Sequence, residues 1–246
     1  MLHGETRLRK GSAVRVEIWS DLICPWCYIG KRRFEKALAA FDHRDEVEVV
    51  HRSFQLDPST PKGEARDLAD MLAAKFGMPR ERAESMNREM EARAAEDGLE
   101  YHLVGGSVGN TADAHRLLHL AQDRGVQAQV LEAFYKAYFT DQRSLFDRDS
   151  LLAVAADAGL DAGEAARVLD SDEYAAAVVS DQREAQQLGA TGVPFFVVDG
   201  RYGVSGAQPV ELFAQALTRA WDESRPVVLQ GPGEACTDGT CAVPGA

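Results

Sequence analysis

Cysteine, proline and positive charge are all scarce in this chain, and long apolar runs are missing. Its 246 residues include 4 Cys and 9 Pro, and 27 Lys+Arg stand against 39 Asp+Glu, a net charge of -12. A chain of this length buries a core without covalent staples, so so few cysteines do not read as a disulfide framework. The acidic balance repels phosphate backbones and anionic lipid, and no nucleic-acid partner is expected. The best apolar run, residues 193–198, has only strand length against the roughly 18 residues of a membrane span, so no membrane partner is expected either. The basic residues 7–10 are followed by Arg15, Glu17 and Asp21 and not by an apolar segment, which reads as no secretory signal and a cytoplasmic location. Hydrophobic residues at 45% and charged residues at 27% exclude a disordered, fibrous or membrane chain.

What is present is patterned. Val14, Val16 and Ile18 alternate with Arg15, Glu17 and Trp19 until Ser20 and Asp21 break the run, which predicts a strand and a short loop. Over 25–41, Tyr28, Phe34, Leu38 and Phe41 recur at helical spacing, with Pro25 suited to the first helical position and Cys24 to the N-cap. Valines over 46–54 predict a second strand, ended by Asp57-Pro58-Ser59-Thr60-Pro61. From about 66 to 188 the periodicity predicts helices and no strand. These fall at 67–76, 80–97, 126–139, 148–158 and 173–188, with another along Ala114, Leu117, Leu118 and Ala121, capped by Thr111 with Asp113. Gly77, Gly125 and Gly159 stand near the breaks. Phe195–Val198 and Tyr202–Ser205 read as strands joined by a two-residue Asp199-Gly200 turn, and 210–221 as a last amphipathic helix.

The cysteines carry the chemistry. Cys24-Pro25-Trp26-Cys27 lies where the first strand meets the first helix, and in a reducing compartment that spacing reads as a dithiol redox pair. At the N-cap, Cys24 meets unpaired N–H groups and the positive end of the helix dipole, which lowers a thiol pKa, so it is expected to be the exposed nucleophile. Cys27, one turn on, is expected to be the sheltered thiol that resolves a mixed disulfide. The competing reading is half of a zinc site completed by Cys236 and Cys241; the helix N-cap weighs against it, and no metal is expected. Thr191-Gly192-Val193-Pro194 enters the Phe195–Val198 strand, where a cis Pro194 would offer the Val193 backbone to an extended substrate beside Cys24. Cys236 and Cys241, four residues apart in a Gly-rich tail, read as an auxiliary redox pair exchanging with Cys24 and Cys27, with a local staple and a zinc half-site as alternatives.

On the Cys24-Pro25-Trp26-Cys27 and Thr191-Gly192-Val193-Pro194 segments and the helices between them, the chain resembles the DsbA family of thioredoxin-fold oxidoreductases, in its FrnE-like branch. Asn110-Thr111-Ala112-Asp113-Ala114-His115-Arg116 and Gly203-Val204-Ser205-Gly206-Ala207-Gln208 also resemble segments of 2-hydroxychromene-2-carboxylate isomerases and kappa-class glutathione transferases. Those relatives carry Ser where Cys24 stands. The resemblance implies an α/β thioredoxin fold with a large all-helical insertion. Its halves fall at 12–60 and 189–225, the insertion at 61–188 and an irregular tail at 226–246. It further implies a thiol–disulfide oxidoreductase or protein disulfide isomerase without a cofactor, in which Cys24 and Cys27 react and Pro25, Trp26, Val193 and Pro194 contact the substrate. The partners implied are disulfide-containing protein clients and a thiol electron donor; the oligomeric state, a dimer included, stays open. The alternatives are a glutathione-dependent isomerase or transferase of a small aromatic or polyketide substrate, and a non-catalytic chaperone or zinc-held binding module.

Two departures matter. Thioredoxins place a buried acid six residues before the first cysteine, where this chain has Ile18, with Glu17 on the opposite strand face. Asp21 is the nearest substitute proton acceptor for Cys27, or equally a loop cap. Trp26 replaces the His common in DsbA, which implies a less oxidising pair. His115 and His119 lack a third ligand and read as solvated or core-edge residues, Lys31-Arg32-Arg33 as a solvated helix face, and 105–109 as a bend between helices.

Overall fold

Alternation at the start of the chain becomes the centre of a sheet. The structure, a computed structural model, describes residues 14–224. The elements before the insertion are β1 (Val14–Ser20), α1 (Pro25–Ala39) and β2 (Val47–Ser53). The insertion contains β3 (Ala65–Asp67), α2 (Leu68–Phe76), α3 (Arg80–Glu96), β4 (Ser107–Gly109), α4 (Ala112–Asp123), α5 (Gln127–Phe139), α6 (Arg148–Asp157), α7 (Ala162–Leu169) and α8 (Ala175–Gln187). The chain then returns through β5 (Phe195–Val198), β6 (Tyr202–Ser205) and α9 (Val210–Ser224).

The main sheet has the order β2-β1-β5-β6, with β1 and β2 parallel and the other two pairings antiparallel. Period-two alternation divides β1 between two faces. Val14, Val16 and Ile18 join Phe34 and Ala37 of α1, Phe196 and Val198 of β5, and Phe213, Leu217 and Trp221 of α9 in one core. On the other face Trp19 packs with Phe195, Val197 and Ala185, and its indole N–H donates to the Asp181 carbonyl at 2.8 Å. The outer edge of β2 is met by side chains from the insertion. Gln127 accepts from the His51 N–H at 3.1 Å and donates to the His51 carbonyl at 2.9 Å; Gln182 does the same at Gln55, at 3.2 and 3.4 Å; the Asp181 carboxylate accepts from the Ser53 N–H at 2.8 Å.

The hairpin differs from its sequence expectation by one residue. Val198 pairs with Tyr202, so the loop holds three residues. Asp199 and Gly200 have φ of 53° and 66°, the mirrored turn that suits strand twist, and Arg201 donates back to the Val198 carbonyl before the ladder resumes.

Three corrections fall in the insertion. It is helical apart from β3 and β4, which pair antiparallel from Ala65↔Gly109 to Asp67↔Ser107. Three-residue strands are too short to show alternation, and part of the 105–109 bend is therefore a strand. Gly109 fits there because an added Cβ would lie 2.6 Å from the Phe146 ring and 2.8 Å from the Glu64 carbonyl. α7, unforeseen, starts where Asp161 accepts from the Glu164 N–H at 2.8 Å; Gly163 in its first turn weakens the helical signal. At α4, Thr111 occupies the N-cap without a side-chain cap bond, while Asn110 accepts from the Ala112 N–H at 2.8 Å.

α4 is the central helix of the insertion, buried at every residue from 114 to 121. His115 and His119 are therefore interior and not solvated. Arg116, also buried, donates to the carbonyls of Val168, Ser171 and Glu173 and so closes the C-terminal end of α7.

Candidate active site

Cys24 is the N-cap of α1, with φ -87° and ψ 112°, and Pro25 follows in the first turn. Its main-chain N–H donates to the Asp21 carbonyl at 3.2 Å, and its own carbonyl accepts from the Cys27 N–H at 2.9 Å. No side-chain cap bond to the helix N–H groups forms, so Sγ sits at the positive end of the helix without capping it. It faces the second half of the fold, with Sγ 3.6 Å from the Val193 carbonyl. The Val193–Pro194 peptide is cis, as expected from sequence. Residues 169 positions apart are thus neighbours. Both cysteines are free thiols.

Burial corrects one expectation. Cys24 is 5% exposed and Cys27 1%, so neither thiol is open; the exposed residue of the motif is Trp26, at 39%. The two sulfurs still differ in surroundings. Burial and the Cys24 side chain push the Cys27 thiol well above the ordinary range; the Asp21 main chain opposes this through a hydrogen bond, and the Asp21 carboxylate adds the smallest upward push.

The insertion supplies one wall of the site. Cys24, Cys27, Tyr28 and Ile29 share a core with Tyr101, Leu117, Tyr135 and Phe139. Tyr28 stacks on Tyr135 at 4.7 Å and Tyr101 on Phe139 at 4.5 Å between ring centroids. The Tyr101 hydroxyl donates to the Pro25 carbonyl at 2.9 Å, holding the first turn of α1. The opposite wall is Pro194, whose ring lies so close to Gly30 that an added Cβ would be 2.9 Å from its Cγ. Glycine is needed there for helix and turn to approach.

Lys31-Arg32-Arg33 is not a solvated face. Lys31 is buried and bonded to Glu35 at 2.6 Å and Glu132 at 2.5 Å, Arg32 also reaches Glu132, and Arg33 binds Asp97 and the Ala207 carbonyl. Although partial burial disfavours its charge, Lys31, the Tyr28 hydroxyl and Arg32 hold the Glu132 carboxyl down at about 2. These contacts tie α1 to α5 and α3.

Asp21 is buried in the loop between β1 and α1. One carboxylate oxygen accepts from the Leu56 N–H at 2.7 Å, and the other lies 3.4 Å from His115 Nε2. Sequence reasoning missed His115 as part of the site; its signal was a place inside the Ala114, Leu117, Leu118 stripe. Ile18 is in the apolar sheet core, and Glu17 binds Arg52 at 2.5 Å on the other face.

A Ser–His–Asp set also occurs, at Ser53, His119 and Asp181. Both partners approach the same nitrogen, Nε2, at 3.2 and 3.1 Å, whereas a nucleophilic triad needs them on opposite ring nitrogens. This set joins β2, α4 and α8. Among the described residues no group of three or more His, Cys, Asp or Glu is placed to hold a metal. No helix among them is long and apolar enough to cross a membrane. Cys236 and Cys241 lie outside the described residues.

Residues 15–218 match the DSBA-like thioredoxin domain. A probable DsbA oxidoreductase of Streptomyces coelicolor is 56% identical, superposes with a TM-score of 0.83, and the match covers 94% of this chain and 100% of that one. The uncharacterised protein YwbO of Bacillus subtilis is 26% identical over 83% of this chain and 96% of its own length. A 2-hydroxychromene-2-carboxylate isomerase shares the fold at 15% identity and a TM-score of 0.61, over 85% of this chain and 97% of that one. The fold is thus the thioredoxin-like fold of DsbA proteins with its helical insertion.

Proposed function

Because the chain belongs to the DSBA-like thioredoxin family, we propose that it is a thiol–disulfide oxidoreductase or protein disulfide isomerase working through Cys24 and Cys27 in the cytoplasm. The observation that carries this is the approach of Cys24 Sγ, at a helix N-terminus, to within 3.6 Å of the Val193 carbonyl. A dithiol at that junction meets the backbone of an extended client on one side and a resolving thiol on the other. In the reducing direction, the Cys24 thiolate attacks a client disulfide, forming a mixed disulfide and releasing one client thiolate, which takes up a proton. Cys27 then loses its proton and attacks Cys24 Sγ. The Cys24–Cys27 disulfide forms, the second client thiol departs, and two electrons have passed to the client. A thiol donor restores the dithiol by the reverse sequence. Trp26 and the Val193–Pro194 turn contact the client chain.

The glutathione-dependent isomerase reading has less behind it. It requires a small-molecule pocket at the sulfur, and Cys24 and Cys27 are instead packed in a core with Tyr101, Leu117 and Tyr135. Insulin-disulfide reduction by the wild type and Cys24→Ser tests the proposal. The expected outcome is turnover that falls at least about 100-fold in the variant, as for loss of a nucleophile. Equal rates in the two proteins overturn it.

A further inference from the structure

The thiol-exchange reading leaves one step without an agent. Cys27 must give up a proton inside the protein, and Ile18 occupies the position of the usual acid. Asp21, whose main chain and carboxylate both act on that thiol, meets His115 in the interior. Both are 0% exposed, Asp21 in the loop after β1 and His115 on α4 of the insertion, with Oδ1 and Nε2 3.4 Å apart. Neither atom makes a hydrogen bond, nor does His115 Nδ1. Buried polar atoms left unbonded cost stability, and a leucine at 115 would fill an interior helix position better, so a purely structural role does not account for the pair. The loop turns back onto α1 through the Cys24 N–H to Asp21 carbonyl bond, which puts the Asp21 carboxylate within electrostatic reach of Cys27.

We propose that Asp21, positioned by His115, is the internal base that takes the Cys27 proton during resolution of the mixed disulfide. This rests on the thiol-exchange reading and specifies its second step. The S–H bond of Cys27 breaks with its proton passing to the Asp21–His115 pair. The sulfur electron pair forms the bond to Cys24 Sγ, the bond from Cys24 to the client sulfur breaks, and the client thiolate leaves. The proton held by the pair then passes to that thiolate or to solvent, and the pair is reset. The groups that face the pair fit this assignment. Cys27 comes from α1, and Tyr138 of α5 is already engaged, donating to the Ser107 carbonyl at 2.8 Å. Among the described residues no Lys or Arg forms an ion pair with Asp21, and Arg116, next to His115, is spent on Asp113 and the carbonyls at the end of α7. The insertion thereby completes the chemistry of the CPWC pair.

The experiment uses the full chain with Cys236 and Cys241 replaced by Ser, so that only the CPWC pair reports. Reduced protein is mixed with an aromatic disulfide whose thiolate is coloured. A first equivalent of colour reports attack by Cys24 and a second reports resolution by Cys27. In Asp21→Asn the first phase should stay within about threefold of wild type, while the second slows about 10- to 100-fold near neutral pH, the loss expected for an internal base. The deficit should close at high pH, where hydroxide ionises Cys27 directly. His115→Gln should show the same pattern with a smaller loss, and it carries the test if Asp21→Asn does not fold. An unchanged second phase, or a loss equal in both phases and flat with pH, overturns the assignment. A first phase that persists in Cys24→Ser overturns the thiol-exchange reading instead.

Discussion

α1 turns one face to the sheet and another to the insertion, and the two faces differ in kind. Toward the sheet, Phe34 and Ala37 meet Ile18, Phe196, Phe213 and Leu217, all apolar, with Phe34 edge-on to Phe213 at 5.9 Å. Toward the insertion, Tyr28 stacks on Tyr101 and Tyr135 and sends its own hydroxyl to the Glu132 carboxylate, Tyr101 reaches the Pro25 carbonyl, and Asp21 and His115 are buried. Packing on the sheet side asks nothing of chemistry and fixes the axis of the helix. The insertion side gives up some packing quality to keep titratable groups around the sulfurs. A helix anchored on one face can carry reactive groups on the other without losing its position.

Three substitutions test this contrast. The largest effect is expected from Phe34→Ala, which empties the apolar side and should cost about 3–5 kcal/mol. Urea unfolding should show that loss while the thiol reactivity of the folded protein is unchanged; altered reactivity at full stability would mean the faces are not separable. Gly30→Ala acts between helix and turn. With its Cβ 2.9 Å from Pro194 Cγ and 3.4 Å from both Ala207 Cα and Phe196 Cζ, it should cost about 1–3 kcal/mol and alter the alkylation rate of Cys24. The smallest effect belongs to Tyr101→Phe, which keeps the stacked ring and removes only the bond to the Pro25 carbonyl, for about 0.5–1.5 kcal/mol. Amide exchange should quicken in the first turn of α1 and nowhere else; exchange quickening throughout α1 would show that the hydroxyl holds the whole helix.

The contrast also explains what could be read in advance. Period-two alternation in β1, helical spacing after Pro25 and the Asp-Gly turn are local signals, and each elements' position follows from them. The Cys24 to Val193 approach was legible because both segments carry their own punctuation, a CxxC and a Gly-Val-Pro. His115, read as solvated or core-edge, and Lys31, read as part of a solvated face, are both interior because their burial is set by distant partners. Lys31 looks solvated until Glu132 is brought over it, and His115 looks like a helix edge until α4 is enclosed on all sides. The strands β3 and β4 are stabilised by pairing with each other, and three residues carry no periodicity of their own.

The outer edge of β2 has a consequence beyond the site. A sheet margin normally exposes a row of main-chain donors and acceptors that another extended chain can join. Here the amides of Gln127 and Gln182 imitate a peptide unit against His51 and Gln55, and the Asp181 carboxylate takes the Ser53 N–H between them. An extended polypeptide that meets such a margin can continue the sheet. Along these residues the hydrogen-bonding positions are already occupied, so the sheet is closed to a further strand there.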